Sequence, residues 1–260
     1  MNTPMNKKEK FSKEDGADKV NEVHFRSLIG CLMYLTSIRP DILFPVSMLS
    51  RFMHCASELH LKAAKRVVRY IKGTVNYGVK YYQVRDFELL DFCDSDWASS
   101  FDDMKSTLGY CFSMDSGVFS WCSKKQEVVT QSTTEVEFIA AVATVNQVIW
   151  LRNILTYLGL KQDKIIEVFV DNQAAISISQ NPIFHGKTKH FNVKLFHLRE
   201  VQENGNANLI YCRTEDQAAD MFTKPFPLNR FEFAASTTLN RFEFPRKKLG
   251  VCSLHDKEEC

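Results

Sequence analysis

Asp94, Glu137, Asp171 and Asp220 are the residues of this chain best suited to act together, and each sits in a different kind of segment. Asp94 lies in the strand-like run Leu89-Leu90-Asp91-Phe92-Cys93-Asp94-Ser95-Asp96-Trp97, and Glu137 in the first turns of a long helical pattern. Asp171 closes the apolar run from Ile165 to Val170, and Asp220 falls in a short helix after one more strand. Carboxylates gathered from strand, helix, strand end and helix suit a pair of hard divalent cations, which take oxygen ligands.

Each acid also has a plainer reading. Asp94 and Asp96 are two apart in a strand, so both point to one face, and either could be a solvated strand end. Ser132-Thr133-Thr134-Glu135 reads as a capping box, which ties Glu135 to the helix start and leaves Glu137 free. Asp171 stands where it could cap the helix opened by Asn172-Gln173-Ala174-Ala175. Capping and metal binding can coexist there, since ligand sites in open sheets gather at the carboxyl ends of strands. Asp220, on pattern alone, is one exposed acid among many, although Ala218-Ala219 would let its helix approach a sheet closely.

The elements that must position these acids follow from periodicity. Residues 1–20 are charged and poor in large apolar groups, which predicts a disordered N-terminus. Residues 21–84 read as a small helical segment, with Leu28, Leu32 and Leu35 in a first helix and Pro40 marking a new start. A third helix begins at Ser57-Glu58, with Leu61, Ala64, Val68 and Ile71 on one side and Lys62, Lys65, Arg66, Arg69 and Lys72 on the other. Such a basic stripe is either a phosphate-binding face or simply a solvated one.

Over residues 85–226 the period changes. Strands are expected at 87–94, 107–114 and 117–123, a helix at 133–158, a strand at 165–170 and helices at 172–180 and 188–204. A strand at 207–212 and a last helix at 215–223 complete the pattern. Hairpin strands followed by strand–helix alternation imply an α/β fold, a mixed five-stranded sheet flanked by helices. Beyond it, Leu228-Asn229-Arg230-Phe231-Glu232-Phe233 recurs as Leu239-Asn240-Arg241-Phe242-Glu243-Phe244, and residues 227–260 are expected to be a flexible tail.

Composition excludes several classes. A net charge of +2 means that any nucleic-acid footprint must come from local clustering. With no apolar run near 18 residues and no signal-peptide pattern, a soluble intracellular protein without membrane contact is expected. The eight cysteines form no CxxC pair, so neither a zinc knuckle nor a disulfide framework is indicated, even with His185, His190 and His197 present. Asp115-Ser116-Gly117 has the wording of an aspartic-protease triplet but sits where a hairpin turn is needed. Phe101-Asp102-Asp103 lacks the tyrosine of a polymerase site, and Gly186-Lys187-Thr188 lacks the first glycine of a P-loop, which Asn181 replaces. No small-molecule cofactor is therefore expected.

Several stretches between about Phe25 and Phe233 resemble the C-terminal part of copia-type retrotransposon Pol polyproteins. Phe25-Arg26-Ser27-Leu28-Ile29-Gly30, Thr36-Ser37-Ile38-Arg39-Pro40-Asp41 and Glu58 to Arg66 are similar to the region joining polymerase to RNase H. Asp94-Ser95-Asp96-Trp97-Ala98, Glu137-Phe138-Ile139-Ala140-Ala141, Val170-Asp171-Asn172-Gln173-Ala174-Ala175 and Asp216 to Pro225 resemble the four segments that carry the RNase H carboxylates. The stretch from Asn181 to His190 is similar to another copia motif. The resemblance implies a ribonuclease H-like fold over residues 85–226, preceded by a reverse-transcriptase connection remnant at 21–84. It makes Asp94, Glu137, Asp171 and Asp220 catalytic ligands of two Mg²⁺ (or Mn²⁺) ions, with Glu137 orienting the attacking water.

By the same resemblance, Lys62, Lys65, Arg66, Arg69, Lys187 and Lys189 are candidate nucleic-acid contacts. The substrate would be an RNA–DNA hybrid cut in its RNA strand to leave 5′-phosphate and 3′-hydroxyl ends, with the reverse transcriptase of the same polyprotein as partner. The expected location is the cytoplasm, a virus-like particle or the nucleus. The loop histidine of cellular RNases H has no counterpart here. A non-catalytic, nucleic-acid-binding remnant of a decayed element is the competing reading.

Overall fold

The computed structural model describes residues 3–7, 9–81, 89–114, 117–160, 162–180, 189–225 and 251–253, with the side chains of 189, 190, 252 and 253 left aside. The chain opens with three helices, α1 (Glu22–Leu35), α2 (Leu43–Ser50) and α3 (Glu58–Gly73), packed around Phe25, Ile29, Ile42, Val46, Val67 and Tyr70. Asn21 caps α1 by accepting the His24 N–H, and Pro40 opens a 3-10 turn that leads into α2. Beneath them Arg39 forms a buried ion pair with Asp41 at 2.7 Å, and the Tyr70 hydroxyl donates to the same carboxylate at 2.6 Å.

The α3 stripe is rotated from the expected one. His60, Ala63, Ala64, Val67 and Tyr70 are buried, whereas Val68 is 41% exposed. Hydropathy alone misplaces the phase because two polar residues go inside. His60 Nδ1 accepts the Ser57 N–H and its ring stacks on Phe52, while Tyr70 is held by Asp41. The N-terminal segment also departs from the expected disorder. Thr3, Pro4 and Met5 are buried, Arg66 donates to the Thr3 carbonyl and hydroxyl, and Glu58 N–H bonds to Asp18 O at 2.9 Å. A few anchors outweigh the charged composition.

The second part is a mixed sheet. β1 (Tyr77–Val79) stands apart, and β2 (Leu89–Ser95), β3 (Thr107–Met114) and β4 (Gly117–Lys125) form an antiparallel meander. Then follow α4 (Thr133–Tyr157), β5 (Ile166–Val170), α5 (Gln173–Gln180), α6 (Lys189–Glu203) and β6 (Ala207–Tyr211). The strand order is β4-β3-β2-β5-β6, with β5 parallel to both β2 and β6. This is the expected ribonuclease H-like architecture.

Alternation along the strands divides the sheet into two faces. Leu89, Cys93, Phe112, Val168 and Leu209 pack with Phe138, Val145 and Val148 of α4 and Leu195 and Leu198 of α6. By length and composition α4 could cross a membrane, but most of its apolar residues are buried within the fold. Phe92, Cys111, Val118 and Trp121 line the other face with Ala218, Ala219 and Phe222.

The expected last helix is instead two 3-10 turns, Thr214–Asp216 and Ala218–Phe222. Gln217 interrupts them with an extended backbone (ψ 104°), because its side chain is drawn into the sheet. Its Nε2 donates to Cys93 O at 2.8 Å and Phe169 O at 3.3 Å, and its Oε1 accepts the Ala219 N–H.

The two parts meet along β4. Ser47 Oγ donates to Ser123 O at 2.9 Å, Tyr81 Oη to Val118 O at 2.7 Å, and Trp121 Nε1 to Thr36 O at 2.9 Å. Within the tail expected to be flexible, Val251–Ser253 form β7, antiparallel to β1. The duplicated segment lies outside the described residues, as do Asp115 and Ser116 of the expected hairpin turn.

Candidate metal centre

β2 and β5 run parallel as neighbours and end side by side, which brings Asp94 and the residue just after β5, Asp171, to one end of the sheet. Glu137 arrives from the second turn of α4, and the cap leaves it free. Ser132 Oγ accepts the Glu135 N–H, and Glu135 turns back to accept the Gln131 N–H at 2.8 Å. One carboxylate oxygen each from Asp94, Glu137 and Asp171 all lie within 4.8 Å of one another, the one such group of potential metal ligands among the described residues.

Capping of α5 falls to Asn172, whose Oδ1 accepts the Ala175 N–H at 3.1 Å. Asp171 is therefore free of that duty and accepts a bond from Thr214 Oγ1 at 2.9 Å. Asp96, the alternative to Asp94, has passed the end of β2; it accepts the Thr107 N–H and faces Arg51. Asp220 is buried beside Asp94 but outside the group of three, and its Oδ1 is 2.8 Å from Lys224 Nζ.

The electrostatics are those of carboxylates short of positive charge. Burial, with Asp94 and Asp171 nearby, pushes Glu137 up to about 10. Burial also raises Asp94 to about 7, with Asp220 and Asp171 adding to the rise while Lys224 and the Thr223 hydroxyl work against it. Glu137 Oε1 accepts the Ser95 N–H at 3.3 Å, whereas its Oε2 is buried without a hydrogen-bond partner. An all-oxygen donor set with a buried, unsatisfied carboxylate oxygen fits a hard divalent cation.

Sequence reasoning assigned no role to three residues that shape this site. Thr223 Oγ1 bonds directly to Asp94 Oδ2, and Lys224 Nζ lies 3.6 Å from the same oxygen. Gly109 is the third, and its signal is its place opposite Asp94 in the β2–β3 register. A Cβ there would lie 2.6 Å from Phe222 Cβ and 2.9 Å from Thr223 Cγ2, so only glycine lets the Ala218–Phe222 turn settle on the sheet.

Lys62, Lys65 and Arg69 are exposed on α3, which packs on α1 and α2, and Arg66 is half-buried against Thr3. Lys187 lies outside the described residues, and Lys189 is described only as the start of α6.

No family model matches the chain. It is 35% identical over 236 residues to the retrovirus-related Pol polyprotein from transposon RE1 of Arabidopsis thaliana, covering 91% of this chain and 16% of that protein. It is 36% identical over 239 residues to the corresponding polyprotein from transposon TNT 1-94 of Nicotiana tabacum, covering 89% of this chain and 18% of the other. The chain thus spans less than a fifth of the length of either relative. Among solved structures, LC11-RNase H1 in complex with an RNA/DNA hybrid aligns with 57% of this chain and all of its own, at a TM-score of 0.39 and 13% identity.

Proposed function

We propose, for a chain that belongs to the retrovirus-related Pol polyproteins of copia-type transposons, an RNase H that hydrolyses the RNA strand of RNA–DNA hybrids. The observation that carries the reading is the meeting of Asp94, Glu137 and Asp171 at the end of two parallel strands, with one Glu137 oxygen buried and unpartnered. These three residues would hold a divalent cation, Mg²⁺ or Mn²⁺, which supplies a Lewis acid at the scissile phosphate.

The chain's own groups do the rest. Asp94 is held in place by the Thr223 hydroxyl, and Asp171 by Thr214. Glu137, fixed by the Ser95 N–H, is the group to orient the attacking water for in-line displacement of the 3′-oxygen. Choice of RNA follows from the 2′-hydroxyls displayed in the shallow minor groove of a hybrid, and sequence preference should be weak. The exposed lysines of α3, with Lys187 and Lys189, are proposed as backbone contacts.

The test is cleavage of an end-labelled RNA–DNA hybrid by the purified chain with Mg²⁺, with Mn²⁺ and with EDTA. Metal-dependent cutting of the RNA strand alone, leaving 5′-phosphate ends, is expected. Binding without cutting under every condition would instead support a nucleic-acid-binding remnant.

A further inference from the structure

We propose that the ammonium group of Lys224 serves as the second cation of this centre, so that the chain holds one divalent ion rather than two. Lys224 Nζ lies 2.8 Å from Asp220 Oδ1 and 3.6 Å from Asp94 Oδ2, and so bridges the two carboxylates that a second ion would need to share. Those side chains are 8% and 1% exposed, respectively, and neither can turn to water for compensation.

The position of Lys224 is built by the backbone. The Thr223 and Lys224 N–H groups both bond to Asp220 O, at 3.2 and 3.1 Å, and close the turn. Thr223 meanwhile fixes that turn to Asp94, and Pro225 follows directly. Lys224 is thus held on a short leash beside both acids, with its outer part 44% exposed.

Asp220 is for the same reason absent from the group of three whose ligand atoms converge. Four carboxylates facing one ammonium and one divalent ion leave a single negative charge uncovered. A second divalent ion would first have to displace an ammonium already paired with two buried acids. If the nuclease reading holds, the fixed charge of Lys224 also does what a second ion would do, stabilising negative charge as it develops on the phosphate.

The experiment counts ions and needs no nucleic acid. Mn²⁺ bound per molecule of the full chain is measured by the electron paramagnetic resonance of the free ion, for the natural protein, Lys224→Met and Lys224→Arg. One ion is expected for the natural protein and for Lys224→Arg, and two for Lys224→Met, the second bound at least tenfold more tightly than in the natural protein. Two ions of similar affinity in the natural protein would overturn the inference, as would one ion in both it and a folded Lys224→Met. If Lys224→Met does not fold, the natural protein and Lys224→Arg decide, because two ions in either refutes the proposal and one in both supports it. No ion bound by any of them would overturn it together with the metal-dependent nuclease reading.

Discussion

Gly109 and Asp94 are register partners across β2 and β3, and the side chain that Gly109 lacks leaves the space in which Phe222 and Thr223 reach Asp94. The acid is therefore positioned through its neighbour's smallness. Replacing Gly109 with alanine puts a methyl group 2.6 Å from Phe222 Cβ, and something must move. A stability loss of about 1–3 kcal/mol is expected by thermal or urea denaturation, as for overpacking elsewhere. The variant should also bind Mn²⁺ more weakly. Unchanged stability and affinity would mean that the turn does not hold Asp94.

Asp171 is half-buried and leaves the capping of α5 to Asn172, so its removal should spare the fold. Asp171→Ala is expected to unfold within about 0.5 kcal/mol of the natural protein. Its single-turnover cleavage of a hybrid should fall by roughly two to three orders of magnitude. Retained cleavage in this variant would remove Asp171 from the site.

Asp91 gives a pH dependence. It is fully buried in β2 on the same face as Leu89 and Cys93, and neither carboxylate oxygen has a hydrogen-bond partner. Burial holds its carboxyl well above the usual carboxylate range. The folded protein therefore binds this proton more tightly than the unfolded chain does. Its contribution to stability is complete below the unfolded pKa, about 4, and is lost as pH rises through the folded value. Asp91→Asn removes the titration, so the difference in stability between variant and natural protein should shift in favour of the variant from pH 5 to pH 9. Urea midpoints at pH 5, 7 and 9 measure this, and parallel profiles would refute it.

Gln217 ties the turn that carries Asp220 to the carbonyls of Cys93 and Phe169, which lie on neighbouring strands. Gln217→Ala leaves those buried acceptors without this donor and should cost about 1–3 kcal/mol. Gln217→Glu should do worse, since a carboxylate cannot donate. A urea denaturation series in which glutamate is tolerated better than alanine would contradict the bonding described.

The strands were legible from the sequence because alternation is a local property, whereas the three converging acids were singled out by the resemblance of the segments that carry them, pattern alone leaving Asp94 and Asp96 equal. Glu137 was told from Glu135 by the cap together with the family-like run that follows it, and the structure keeps Glu135 on the helix start. What escaped depends on contacts between distant residues. Gln217 lies 124 positions from Cys93, and a helical reading of residues 215–223 could not foresee its side chain being drawn into the sheet. The burial of His60 and Tyr70 likewise depends on hydrogen bonds, which hydropathy does not register. Asp91 did carry a signal, since its phase along β2 already put it on the core face.

The seam along β4 bears on how the chain comes to be made. β4 is an edge strand, and the carbonyls of Val118 and Ser123 are taken up by Tyr81 and Ser47, both earlier in the chain. Open edges recruit other strands. During synthesis the helices precede the sheet, so the cover for this edge emerges from the ribosome before the edge does. Relieved of that cover, a fragment beginning at the sheet would present a strand seeking a partner, and another copy of itself would be the nearest one.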